Sequence, residues 1–204
     1  MFTLFYTPGA CSIAAHIVLE EIGAPYTPRK VDLANGEQRT DAYLKINPQG
    51  RVPALQLDDG SVLSENTAIL PYLGKRAKLW PSDGQVEARA LSLIGFFSGS
   101  VHIAHAHVGR PERYADDPAA HANIKATGLK SFHHYLQQID GMLANREWLL
   151  DNYSVVDPYA FVFYTWGVKR ELPMAELKNY GAHVKRLMAR PAVQRVVEDE
   201  KLKV

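Results

Sequence analysis

The pattern of this chain changes at Leu79-Trp80-Pro81-Ser82-Asp83-Gly84, and that change limits the folds open to it. Before the break, strand and helix signals alternate. After it, every periodic segment reads as helix. Phe2–Tyr6 is a short apolar, aromatic run of the kind that forms a strand. From Ser12 to Ile22, Ile13, Ile17 and Leu19 mark a packed helix, which Gly23 ends. Tyr26–Leu33 reads as a second strand, and Gly36–Ile46 as a polar helix anchored by Ala42, Tyr43 and Leu44. Val52–Leu57 and Ser61–Leu63 flank Asp58-Asp59-Gly60, a hairpin signal, and Glu65–Lys78 reads as a helix. The order β-α-β-α-β-β-α predicts an α/β domain over residues 1–79. Beyond the break, Gln85–Val108, Asp117–Leu143, Asp157–Lys169, Met174–Met188 and Ala192–Leu202 predict an all-helical domain over residues 85–204. Ser154 and Asp157 have capping-box spacing, with Ser154 as N-cap, Asp157 as its reciprocal partner and Pro158 in the first turn.

A length of 204 residues, 47% of them hydrophobic, suits one large domain or two small ones. The formal net charge is +1 and the basic residues form no stripe, which argues against nucleic acid or an anionic membrane as partner. No apolar run approaches the roughly 20 residues that span a bilayer. Met1-Phe2-Thr3-Leu4 lacks the basic and extended apolar regions of a secretory signal. A single cysteine excludes an intrachain disulfide framework and fits a reducing compartment, so a cytoplasmic protein is expected.

That cysteine, Cys11, follows Pro8-Gly9-Ala10 at a strand-to-helix junction. Free N–H groups and the positive end of the macrodipole favour an anionic sulfur there, so the sequence predicts a thiol pKa below the usual value of about 8.5. The alternative is a buried cysteine acting as a small hydrophobe. Val52-Pro53 opens the hairpin. Locally the commoner reading is a trans proline on an edge strand. The other is a cis bond that leaves the Val52 N–H and C=O free to pair with an extended peptide. Ser64-Glu65-Asn66-Thr67 begins a helix, either as simple caps or as an anion site in which Glu65 adds a partner for an amine. His102, His105 and His107 are concentrated in one segment, but no further ligand stands at zinc-like spacing, so no metal is expected. C-x-x-C and phosphate-binding G-x-x-x-x-G-K motifs are absent, which disfavours a dithiol cycle within one chain and nucleotide hydrolysis.

Together these segments resemble the glutathione S-transferase family, most closely its bacterial beta class. The resemblance lies in Pro8-Gly9-Ala10-Cys11-Ser12, in Asn47-Pro48-Gln49-Gly50-Arg51-Val52-Pro53-Ala54-Leu55, in Ser64-Glu65-Asn66-Thr67-Ala68-Ile69, and in Ser154-Val155-Val156-Asp157. It implies a thioredoxin-like glutathione-binding domain followed by an all-α domain that contributes the acceptor pocket. It also implies a homodimer serving detoxification. Glutathione would be a co-substrate, with no permanently bound cofactor, and the second partner a small hydrophobic electrophile. Glu65 and Asn66 would hold the γ-glutamyl end, the Asn66 amide donating to its carboxylate in place of the family's usual serine. Val52, at the cis-Pro53 turn, would pair with the cysteinyl part. Cys11 would face the glutathione sulfur, approached also by His102, with His105 as the second match. Trp166 resembles the aromatic wall of the acceptor pocket, and Tyr6 keeps a supporting role.

Three functions are open at this stage: conjugation of glutathione to electrophiles, glutathione-dependent thiol–disulfide reduction through Cys11, and a non-catalytic binding protein on the same fold.

Overall fold

The computed structural model describes residues 1–204. Four strands, β1 (Phe2–Tyr6), β2 (Tyr26–Lys30), β3 (Ala54–Gln56) and β4 (Val62–Ser64), form one mixed sheet in the order β2-β1-β3-β4. β1 runs parallel to β2, with Leu4 beside Pro28, and antiparallel to β3, with Leu4 beside Leu55. Successive side chains of a strand point to opposite faces. Leu4 therefore enters the main core, while Phe5 joins Val31, Tyr43, Val52 and Ala54 in a smaller cluster. β2 is shorter than the sequence suggests. Val31 N–H still bonds Tyr6 O at 2.8 Å, but the Asp32 carboxylate then captures the N–H groups of Ala34 and Asn35 and turns the chain.

Helix α1 (Ile13–Ile22) buries an unbroken run from Ile13 to Leu19, because it packs on the sheet and on three other helices. Gly23, at φ 68°, ends it and returns its N–H to Leu19 O. The predicted helix over Gly36–Ile46 divides into a 3₁₀ turn, Glu37–Arg39, and a short α2 (Asp41–Leu44). Thr40 is extended and caps α2 by accepting Tyr43 N–H, which interrupts the longer helix. Tyr43 Oη and Asn47 Nδ2 both donate to Arg51 O, at 2.7 and 2.8 Å, and pin the segment that leads to Pro53. Gly50 has φ +59°, and a β-carbon there would lie 2.8 Å from Gln38 O, so this turn requires glycine. Helix α3 (Asn66–Ala77) completes the first half, and its Gly74 lets Val155 approach from the second.

The second half is helical throughout: α4 (Gly84–Phe96), α5 (His102–Gly109), α6 (Pro118–Met142), α7 (Val156–Lys169), α8 (Lys178–Met188) and α9 (Pro191–Asp199). Asp83 and Asp117 cap α4 and α6 through their carboxylates. The single helix predicted over Gln85–Val108 contains a π-helical turn, Phe97–Val101, that joins α4 to α5 and resets which residues face inward. Helix α7 is buried around most of its circumference and forms the centre of this half, with Phe97, Phe132 and Tyr180 packed in the same core. No helix is long and apolar enough to cross a membrane.

The Ser154–Asp157 spacing marks a helix start, but the cap differs from the expected one. Asp157 is fully buried and accepts Ser154 N–H at 2.9 Å, the predicted reciprocal half. Ser154 Oγ donates to the same carboxylate instead of accepting a backbone N–H, because Asp157 Oδ2 lies within its reach. The other oxygen accepts Leu149 N–H and His183 Nε2, so one carboxylate ties α7 to α8 and to the preceding loop.

Candidate active site

The loop between β1 and α1 carries Cys11 to the floor of a cavity of about 670 Å³ between the sheet end and α5 and α7. Cys11, Val52, Pro53, Glu65, Asn66, His102, His105 and Trp166 all line it. Residues picked from five separate segments of sequence therefore meet in one place. Tyr6 does not line it; its ring lies 5.1 Å from that of His16.

Two contacts from the helical half hold the cysteine loop. Trp166 Nε1 donates to Gly9 O at 2.9 Å, and Glu200 Oε2 accepts Gly9 N–H at 2.9 Å. Within the loop, Ser12 Oγ accepts Thr7 N–H and donates to Thr7 O. Cys11 Sγ donates to Val52 O at 3.4 Å. The Val52–Pro53 bond is cis, as the resemblance implies and against the commoner local reading. Val52 N–H has no partner within the chain.

The thiol corrects the expectation drawn from its place beside a helix. Burial, and secondarily the Glu65 carboxylate, push the Cys11 thiol up to about 12. Arg110 and Arg51 pull in the other direction without reversing this. The free protein therefore holds a protonated thiol that acts as a hydrogen-bond donor. The expected thiolate fails because desolvation of the sulfur outweighs the helix terminus.

Glu65 links β4 to α3 with φ 67° and ψ 130°, a conformation rare for a residue with a side chain and associated with functional sites. Its carbonyl accepts Ala68 and Ile69 N–H, while its side chain remains 47% exposed at the cavity. Asn66 lines the cavity beside Glu65. Its side-chain amide is buried, and one of the two Nδ2 N–H groups donates to Cys11 O at 2.9 Å. Its Oδ1 has no partner within the chain.

His102 and His105 occupy one face of α5, one turn apart. The ring of His105 stacks on Trp166 at 4.1 Å, and His102 meets the same indole edge-on at 5.0 Å. Burial, then Arg110 and Arg51, lower His102 to about 4; burial, then Arg170, lower His105 to about 3. Both rings are neutral at physiological pH. Trp166 is only 5% exposed, so much of the wall it was expected to form is presented by His105 in front of it.

Sequence reasoning missed Tyr159, Arg110, Arg113, Lys169 and Arg170, which also line the cavity. Tyr159 and Arg170 were legible in principle, standing seven residues before and four after Trp166 on the same helical face. Glu200 carried no local signal.

The chain matches the family model described as the N-terminal domain of glutathione S-transferase over residues 9–76. It is 32% identical to glutathione S-transferase GstA of Escherichia coli O157:H7, over 98% of this chain and 99% of that one. A glutathione transferase homologue from Sulfitobacter, solved with bound glutathione, superposes with a TM-score of 0.93 at 32% identity, covering 100% of this chain and 99% of that one. The bacterial beta class glutathione S-transferase of Sphingomonas chungbukensis gives 0.86 at 34% identity, over 97% and 98%. The mixed sheet with its cysteine loop and cis-proline turn is thus a thioredoxin-like domain, joined to an all-helical one as in glutathione-dependent enzymes. The chain belongs to the glutathione S-transferase family.

Proposed function

We propose that this protein conjugates glutathione to small electrophiles, with residues 1–79 holding the tripeptide and residues 85–204 the acceptor. The observation that carries the reading is the Cys11 thiol at the cavity floor, donating to Val52 O at 3.4 Å beside the cis-Pro53 turn; its pKa is pushed up, so it is a neutral donor. A neutral thiol can donate a hydrogen bond to a glutathione thiolate and stabilise it. Attack on a disulfide needs the thiolate instead, so the same observation weighs against the reductase alternative.

Val52 N–H and C=O would take the cysteinyl backbone of glutathione, and Cys11 Sγ–H would turn from Val52 O to the glutathione sulfur. Arg110 and Arg51 add positive potential at that point. Glu65 and the free Asn66 Oδ1 suit the γ-glutamyl ammonium, and the first amides of α3 its carboxylate. His102, a neutral ring lining the same cavity, would approach the glutathione sulfur. Glutathione acts as co-substrate.

The ultraviolet absorbance of bound glutathione thiolate, followed against pH, tests this. The bound thiol should titrate below the free one, and Cys11→Ala should move it back up. An identical titration in both proteins would defeat the role given to Cys11. A one-glutathione mass adduct on Cys11, with disulfide reduction lost in Cys11→Ala, would transfer the assignment to the reductase.

We also infer a homodimer. Within the apolar run Leu91–Phe97, Ile94 and Phe97 enter the core, yet Leu91 is 51% exposed. A second copy would cover that face. Ultracentrifugation should give about twice 22.8 kDa, and a monomer mass would refute it.

A further inference from the structure

Charge is unevenly distributed in the cavity. Arg51, Arg110, Arg113, Lys169 and Arg170 line it, and Glu65 is the one carboxylate. Arg51 approaches Glu65 at 3.9 Å, whereas the other four cations make no ion pair. Arg110 Nε is buried with no hydrogen-bond partner. Arg170 Nε donates to His105 Nε2 at 3.3 Å, and its Nη2 lies 3.1 Å from the position a β-carbon would take at Gly109. The ends of α5 and α7 thus bring Arg110, Lys169 and Arg170 around His105, and all three depress its proton affinity. The chain as a whole carries only +1, so this concentration is local.

Arg51 lies against Glu65, whereas Arg170 is joined to His105 and stands with Lys169 at the end of α7. Glutathione brings one ammonium and two carboxylates, and its ammonium suits Glu65. Arg110, Lys169 and Arg170 have no carboxylate partner within the chain and leave a positive field in a partly enclosed site, where such a field acts strongly on a ligand. Ile103, Ala106, Tyr114 and Trp166 add apolar surface around them.

We propose that the acceptor taken by this cavity is an electrophile with an apolar body and a carboxylate, the carboxylate being held by Arg110, Lys169 and Arg170. The inference rests on the transferase reading and names its substrate class. Guanidinium forks match a carboxylate in geometry as well as charge. With an enone acceptor, the glutathione sulfur bonds to the β-carbon and the π pair moves onto the carbonyl as an enolate. The α-carbon then takes a proton, and the glutathione thiol has lost one. Nothing is oxidised or reduced, and no group leaves.

The test compares 4-(3-oxobut-1-enyl)phenoxyacetate with its methyl ester, which differ only in a charge remote from the reacting bond. At saturating glutathione, kcat/KM for the carboxylate should exceed that for the ester by about tenfold or more, as expected for charge-assisted hydrogen bonds. Added salt should reduce the ratio. In Lys169→Met and Arg170→Met the ratio should fall toward one. A wild-type ratio of one or less would overturn the inference and leave the transferase standing. A high ratio unchanged in both variants would overturn the assignment to these residues. Turnover of neither probe would overturn the transferase reading, and this inference with it. The wild-type ratio and its salt dependence decide the substrate class even where a variant fails to fold.

Discussion

Glu200, at the end of α9, accepts the N–H of Gly9 at 2.9 Å and so fixes the backbone two residues before Cys11. Its other carboxylate oxygen accepts His16 Nδ1–H at 2.8 Å, and both side chains are buried. Replacing Glu200 by Ala leaves a buried donor on His16 and a part-buried one, Gly9 N–H, without an acceptor. The expected loss is about 3–5 kcal/mol of stability by urea unfolding, with a higher KM for glutathione at temperatures where the variant folds. A change below about 1 kcal/mol would show that the loop is held by Trp166 alone.

Cys11 should be slow to alkylate at neutral pH. With its thiol pushed up to about 12, the iodoacetamide rate in the free protein should keep rising beyond pH 10. A plateau near pH 8.5 would mean that the helix terminus governs the sulfur after all.

His102 and His105 should make the protein sensitive to mild acid. Their folded values are lowered to about 4 and about 3 from an ordinary 6.5. Between these limits the unfolded chain binds protons that the folded chain refuses. Stability therefore rises with pH through that window and falls as pH drops from 6.5 toward 4. Thermal melts at pH 4.5 and 7.5 should differ less for His102→Asn and His105→Asn than for the wild type. Equal differences in all three would contradict the burial assigned to these rings.

Glu65→Ala should weaken glutathione binding by about 1–3 kcal/mol, the cost of leaving an ammonium group without its partner in a partly enclosed site. Calorimetry measures this directly, and an unchanged circular dichroism melt would separate lost binding from lost fold. Unaltered affinity would move the γ-glutamyl end elsewhere in the cavity.

Much of the fold is legible locally. Apolar periodicity places α1 and α7, glycine and proline mark the hairpin and its turn, and the resemblance anticipates the cis Val52–Pro53 bond. Cys11, Val52 and Glu65 stand out at element boundaries, His102, His105 and Trp166 are indicated by the resemblance, and all six share one cavity. Boundaries were read less well where a side chain competes with the backbone, as Thr40 does within Gly36–Ile46.

The sequence by itself determined which segments become strands or helices and which residues stand at their ends, because that information lies in hydropathy and conformational preference over a few neighbouring positions. Tertiary structure alone decided the state of the cysteine. Its position predicted a depressed pKa, and the folded protein reverses the direction, since desolvation depends on what closes over the sulfur. It alone joined Glu200 to Gly9 across 191 positions and Asp157 to His183 across 26. It alone gathered Arg110 and Arg170, scattered in a nearly neutral chain, in one cavity. Burial and charge act through distance in space, and a linear sequence encodes that distance only once the chain has folded.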